Sequence, residues 1–103
     1  MGLLSLLFRG KHNQLKTYIA EGATLLDVRT KGEFNTGSAK GAINIPLDQL
    51  EKNVGKLKKS SHVVVFCRTG ARSAMAKRIL MKHDIPVFNG GSWGSVESAR
   101  KAK

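Results

Sequence analysis

Acidic residues are scarce in this chain: seven Asp and Glu stand against eighteen Lys and Arg, a formal net charge of +11. Such a balance raises the local concentration of anions, whether small molecules, nucleic acid or anionic membranes, and alone it does not choose among them. Cysteine is scarcer still. The single thiol, Cys67, excludes an internal disulfide and any zinc site built from several cysteines, which suits a reducing, cytoplasmic setting. The three histidines, His12, His62 and His83, form no close ligand pair, so no metal is expected. No segment approaches the roughly 20 apolar residues of a membrane helix. The apolar start, Met1 to Phe8, is followed rather than preceded by positive charges at Arg9 and Lys11, which argues against a secretory signal. Leu6 stands where a myristoylation pattern from Gly2 needs Ser or Thr. Aromatics are missing from the basic clusters Lys52 to Lys59 and Arg100 to Lys103, so solvated faces outweigh a specific nucleic-acid site.

What remains is globular composition, 41% apolar and 24% charged over 103 residues, without internal repeat or linker. One domain is expected over 1–103, with residues 1–12 an apolar and basic extension that packs on an end of the core or serves as a short docking helix. Leu15, Tyr18 and Ile19 repeat at helical spacing, with Asn13 as the cap and Gly22 as the stop. Leu25, Leu26 and Val28 read as a buried strand ending around Asp27 to Arg29, followed by a brief helical segment at Glu33 to Thr36. Ala42 to Ile45 is a second strand closed by Pro46, and Asp48 with Glu51 resembles a capping box for a helix through Val54. The uninterrupted run Val63, Val64, Val65, Phe66 is the pattern of a parallel strand covered on both faces. A helix is expected from Ser73, a strand over Pro86 to Phe88 broken by Asn89, Gly90 and Gly91, and a last helix over Trp93 to Ala99. Strands alternating with helices imply a mostly parallel sheet whose ligands meet the loops at the carboxyl ends of the strands.

The chemistry concentrates in Cys67, Arg68, Thr69, Gly70, Ala71, Arg72 and Ser73, where the buried strand ends and the next helix begins. Backbone N–H groups in a tight loop opening a helix converge on one point, the helix dipole adds positive potential there, and two arginines add full charges. An anion would be held. Such a position also lowers a thiol pKa, placing Cys67 at the mouth of the cradle as a ready thiolate without a histidine base. Gly70 is best able to take a positive φ, and Ser73 is placed to cap the helix. The plain alternative is a buried strand-end thiol beside an ordinary turn. Asp27, Arg29 and Glu33 are read as scaffold rather than substrate groups, because buried charges rarely go unpaired. His62, five residues before Cys67, falls on the opposite strand face and is a poor base. Trp93 is read as a core or pocket-wall aromatic.

The segment VVVFCRTGARS resembles the active-site loop of rhodanese-like domains. Leu26 to Arg29 with Glu33 and Phe34, then Gly41 to Pro46, then Gly90, Gly91 and Trp93, resemble further signatures of that family in the same order. The resemblance implies an α/β, three-layer fold with a central, mostly parallel sheet of four to five short strands and helices on both faces. It implies a sulfurtransferase that moves sulfane sulfur from thiosulfate or a persulfide donor through a Cys67 persulfide, with no other cofactor. The expected partners are a small anionic donor and a thiol, cyanide or protein acceptor, acting on a monomer without specific nucleic acid. Arg68, Thr69, Gly70, Ala71 and Arg72 would bind substrate, and Asp27, Arg29, Glu33 and Ser73 would support the site; which arginine faces the donor stays open. A partner-dependent persulfide carrier is the alternative. A phosphatase or arsenate reductase is disfavoured, since such relatives place an arginine six positions after the cysteine, where this chain has Ser73. Ser38 and Ala39 also depart from the family pattern of a histidine and an aliphatic residue after Gly37.

Overall fold

A computed structural model describes residues 3–102, with side chains described from Gly10 onward. The chain runs α1 (Leu3–Ala20), β1 (Thr24–Asp27), α2 (Lys31–Asn35), β2 (Ile43–Asn44), α3 (Leu47–Asn53) with a following 3₁₀ turn (Val54–Leu57), β3 (Val63–Cys67), α4 (Ala71–Lys82), β4 (Val87–Ser92) and α5 (Trp93–Lys101). All strand pairs are parallel and the order is β2-β1-β3-β4, so β3 is central and β4 is an edge.

The five residues of β3 are fully buried because both faces of the sheet are covered, as the unbroken apolar run requires. Alternation along the strand sends Val63, Val65 and Cys67 into one cluster with Leu50, Leu57, Ala76 and Leu80, under α3 and α4. Val64 and Phe66 enter the opposite cluster with Leu15, Val96 and Ala99, under α1 and α5. The three-layer α/β architecture stands, with four strands among the described residues.

Several local expectations are corrected. Asn13 does not cap a helix: α1 is continuous from Leu3, since no proline precedes Asn13 within it and the single Gly10 costs only about 1 kcal/mol relative to alanine. Its end does fall at Gly22, whose φ of +87° lets the Gly22 and Ala23 N–H groups bond back to the Ile19 and Tyr18 carbonyls. The side chains of residues 1–9 lie outside the described ones, and with them the question of what Met1 to Phe8 covers. Asp48 and Glu51 form no capping box. Pro46 opens α3 without a side-chain cap, and the Glu51 carboxylate is drawn instead to Lys82, at 2.6 Å, and to His83. The capping box of the molecule is Thr30 with Glu33: Thr30 Oγ1 accepts from the Glu33 N–H and Glu33 accepts from the Thr30 N–H, which starts α2 at Lys31.

The glycine pair does not end β4. Val65 pairs with Asn89 and Phe66 with Gly91, so Gly90 is the extra residue of a bulge through which the strand continues to Ser92. A Cβ on Gly90 would sit 2.8 Å from Val96 Cγ2 and 2.9 Å from Val64 Cγ1, so α5 packs onto the bulge only because that atom is missing.

Candidate active site

β3 delivers Cys67 to the carboxyl edge of the sheet and α4 begins four residues later. Gly70 makes so short a connection possible: at φ +102° it turns its N–H back onto Cys67 Sγ at 3.0 Å, and its Cα side comes close to Gly91 of the bulge. Ser73 does not cap α4, since Gly70 holds that position without a side-chain bond. Ser73 is instead buried in the first turn. Its hydroxyl oxygen lies 3.6 Å from Cys67 Sγ, 3.0 Å from the Gly70 carbonyl and 2.8 Å from Asn89 Oδ1. A hydroxyl has a single hydrogen, so Ser73 donates to one of these groups at a time. Asn89 Oδ1 also accepts from the Gly91 N–H at 2.9 Å, which ties the bulge to the start of α4. The sequence reading assigned Asn89 only to a strand break. Its one visible signal was its place before a glycine pair.

Burial pushes the Cys67 thiol up, but the Ser73 hydroxyl and the backbone N–H groups of Ser73, Gly70 and Thr69 more than offset this and hold it below the usual thiol range. The expectation that Cys67 stands at the mouth of the loop is corrected: its exposure is 0%. Strand alternation turns it into the cluster beneath α4, and residues 68–70 close over it.

The two arginines of the loop differ. Arg72 is half-buried and bidentate to Glu33, Nη1 to Oε1 at 2.7 Å and Nη2 to Oε2 at 3.0 Å. The Arg72 guanidinium, with the Thr30 N–H, lowers the Glu33 carboxyl to about 2. Arg68 is exposed and makes no ion pair among the described residues. Thr69 and Ala71 are exposed as well.

Behind the loop, Asp27 is fully buried and accepts from the Arg29 N–H, Nε and Nη2 and from the Ser38 hydroxyl at 2.6 Å. Arg29 also donates to the Gly37 carbonyl, and its guanidinium lies 5.5 Å from the Trp93 ring centroid. Ser38, where the family pattern has a histidine, thus serves as a donor to Asp27. His62 stacks on Tyr18 at 3.9 Å, on the sheet face away from Cys67. Among the described residues no group of three His, Cys, Asp or Glu side chains could hold a metal, and no helix is long and apolar enough to cross a membrane.

A cavity of about 430 Å³ adjoins the loop, lined by Thr69, Gly91, Ser92 and Ser95 and by Lys11 and His12 of α1. The arrangement offers one activated thiol, converging amides, Lys11 in the cavity wall and, next to Cys67 in the chain, the exposed Arg68. That set suits nucleophilic attack on an anion.

The family model described as Rhodanese-like domain matches residues 11–94. The chain is 36% identical over 84 residues to the uncharacterized protein YqhL of Bacillus subtilis (strain 168), a match covering 77% of this chain and 67% of that one. It is 35% identical over 57 residues to thiosulfate sulfurtransferase PspE of Escherichia coli (strain K12), covering 53% and 55%. It thus spans about half to two thirds of the length of these relatives. Among solved structures, a rhodanese-related protein from Thermoplasma volcanium superposes with a TM-score of 0.72 at 26% identity, over 89% of this chain and 91% of that one.

Proposed function

The chain belongs to the rhodanese-like domain family of sulfurtransferases, and from that premise we propose that Cys67 takes sulfane sulfur from thiosulfate or a persulfide donor and passes it on as a persulfide. The observation that carries this reading is the Gly70 N–H aimed at Cys67 Sγ at 3.0 Å, in a loop that holds the thiol below its usual pKa. A thiolate so held attacks the outer sulfur of thiosulfate. The S–S bond of the donor breaks, its electron pair leaves with sulfite, and Cys67 carries the outer sulfur. An acceptor nucleophile, cyanide or a thiolate, then attacks that sulfur; the Cys67 S–S bond breaks and the thiolate returns. The loop amides stabilise negative charge on sulfur throughout. Arg68, next to Cys67 in the chain, meets the anionic end of the donor, while Arg72 and Glu33 hold α2 against the loop.

The experiment is thiosulfate-to-cyanide turnover by the purified chain and by Cys67→Ser. The substitution changes little volume, so the variant folds and loses turnover. Turnover retained by the variant would remove Cys67 from the reaction.

A further inference from the structure

β4 is one of the two edges of the sheet, and among the described residues only β3 pairs with it. Two cavities follow that edge in succession. The first, about 940 Å³, is lined by Phe88 and Asn89 of β4 between Lys11 of α1 and Lys77, Arg78 and Met81 of α4. The second is the cavity of about 430 Å³ beside Thr69, where β4 contributes Gly90, Gly91 and Ser92. Lys11 lines both. Together they form a trench along Phe88 to Ser92 that ends at the Cys67 loop; the buried bulge residue Gly90 and the Gly91 N–H, given to Asn89 Oδ1, leave the stretch up to Asn89 as its regular edge. No acidic residue lines it, and Lys11, Lys77 and Arg78 make no ion pair among the described residues. Met81 lies 58% exposed on its wall.

We propose that this trench docks an extended, acidic polypeptide segment by strand addition to β4, presented by the protein that exchanges sulfur with Cys67. The regular edge before the bulge, Val87 to Asn89, supplies the main-chain hydrogen bonds of such docking, and the three cations select acidic side chains. A second copy is disfavoured by its own +11 charge. Single-stranded nucleic acid would find one half-buried aromatic, Phe88, to stack on. The purpose of the docking rests on the sulfur-transfer reading, but the binding does not.

The probe is a fluorescent peptide of about eight residues that alternates Glu and Val and ends in Cys, followed by anisotropy at about 0.15 M salt. It binds the wild-type chain and Cys67→Ser alike. K77E/R78E weakens it by about tenfold or more, whereas K56E/K58E, an equal charge change in the turn before β3 that lines neither cavity, moves it by less than about twofold. Methylating alternate peptide amides abolishes binding, because strand addition needs them. Transfer from the Cys67 persulfide to the peptide thiol falls in K77E/R78E while transfer to cyanide does not. Equal weakening by K56E/K58E, indifference to amide methylation, or displacement of the peptide by an RNA oligonucleotide of equal charge would overturn the proposal. Because Cys67→Ser is a binding arm, a thiol that carries no sulfur would refute the transfer reading and leave the docking result legible.

Discussion

Arg72 gives both terminal guanidinium nitrogens to Glu33, whereas Arg68, four residues nearer the thiol in sequence, is exposed without an ion pair among the described residues. Arg68→Ala is therefore expected to lower kcat/KM for thiosulfate by roughly 1 to 3 kcal/mol, about 5- to 150-fold, the worth of a charge-assisted contact made to the donor. Steady-state kinetics with an unchanged melting temperature would bear this out; full activity would remove Arg68 from the donor's path. The Arg72–Glu33 pair has a pH signature instead. With the Glu33 carboxyl lowered to about 2, the unfolded chain takes up its proton first as pH falls. The pair's contribution is thus complete above the ordinary carboxylate range and is lost on descending toward pH 2, so in Glu33→Gln the acid limb of the stability curve flattens. At this scale the sequence was legible where the site is contiguous: Cys67, Gly70 and the two arginines sit within six residues, at a strand-to-helix junction. Asn89 was illegible because its partner, Ser73, lies sixteen residues away and only the bulge brings them together. The burial of Cys67 was hidden as well, since alternation along β3 gives its face but not the closure of residues 68–70 above it.

Secondary elements divide in the same way between local and distant causes. The run Val63 to Phe66 reads as a central strand because an all-apolar strand has no wet face, and the parallel sheet with helices on both sides follows. Asn13 and Asp48 have the chemistry of caps, yet α1 runs through the first and Pro46 pre-empts the second. Thr30 and Glu33, with the spacing of a capping box, form the real one. The glycine pair reads as a strand break because glycine disfavours strands, but its cause is packing between elements. Gly90→Ala forces a Cβ against Val96 and Val64, with overpacking expected to cost about 1 to 3 kcal/mol. Gly55→Ala, where nothing lies within 4 Å, is the control and stays close to wild type. Denaturant unfolding measures both. A Gly90→Ala variant as stable as the control would show that α5 does not depend on contact with the bulge.

Over the whole molecule, the excess of eighteen basic over seven acidic residues is spread widely, with Lys52, Lys56, Lys58 and Lys59 all exposed after β2. Its effect on a small anionic donor is long-ranged attraction, screened over about 10 Å at 0.1 M salt. The second-order rate with thiosulfate is accordingly expected to fall as salt rises, while the rate with an uncharged alkylating reagent at Cys67 stays flat. Stopped-flow measurements across a salt series separate the two. A thiosulfate rate independent of salt would confine the electrostatics to the loop itself and leave the lysines as solubilising surface.

The claim on which the account turns is that Cys67 carries the sulfur. Intact-mass spectrometry of the chain after thiosulfate, with peptide mapping, tests it most directly: the mass of one sulfur atom is expected on Cys67 of the wild type and nowhere in Cys67→Ser, and it disappears when cyanide is added. A wild-type chain whose thiol alkylates readily but gains no sulfur from thiosulfate or from a low-molecular-weight persulfide would contradict it.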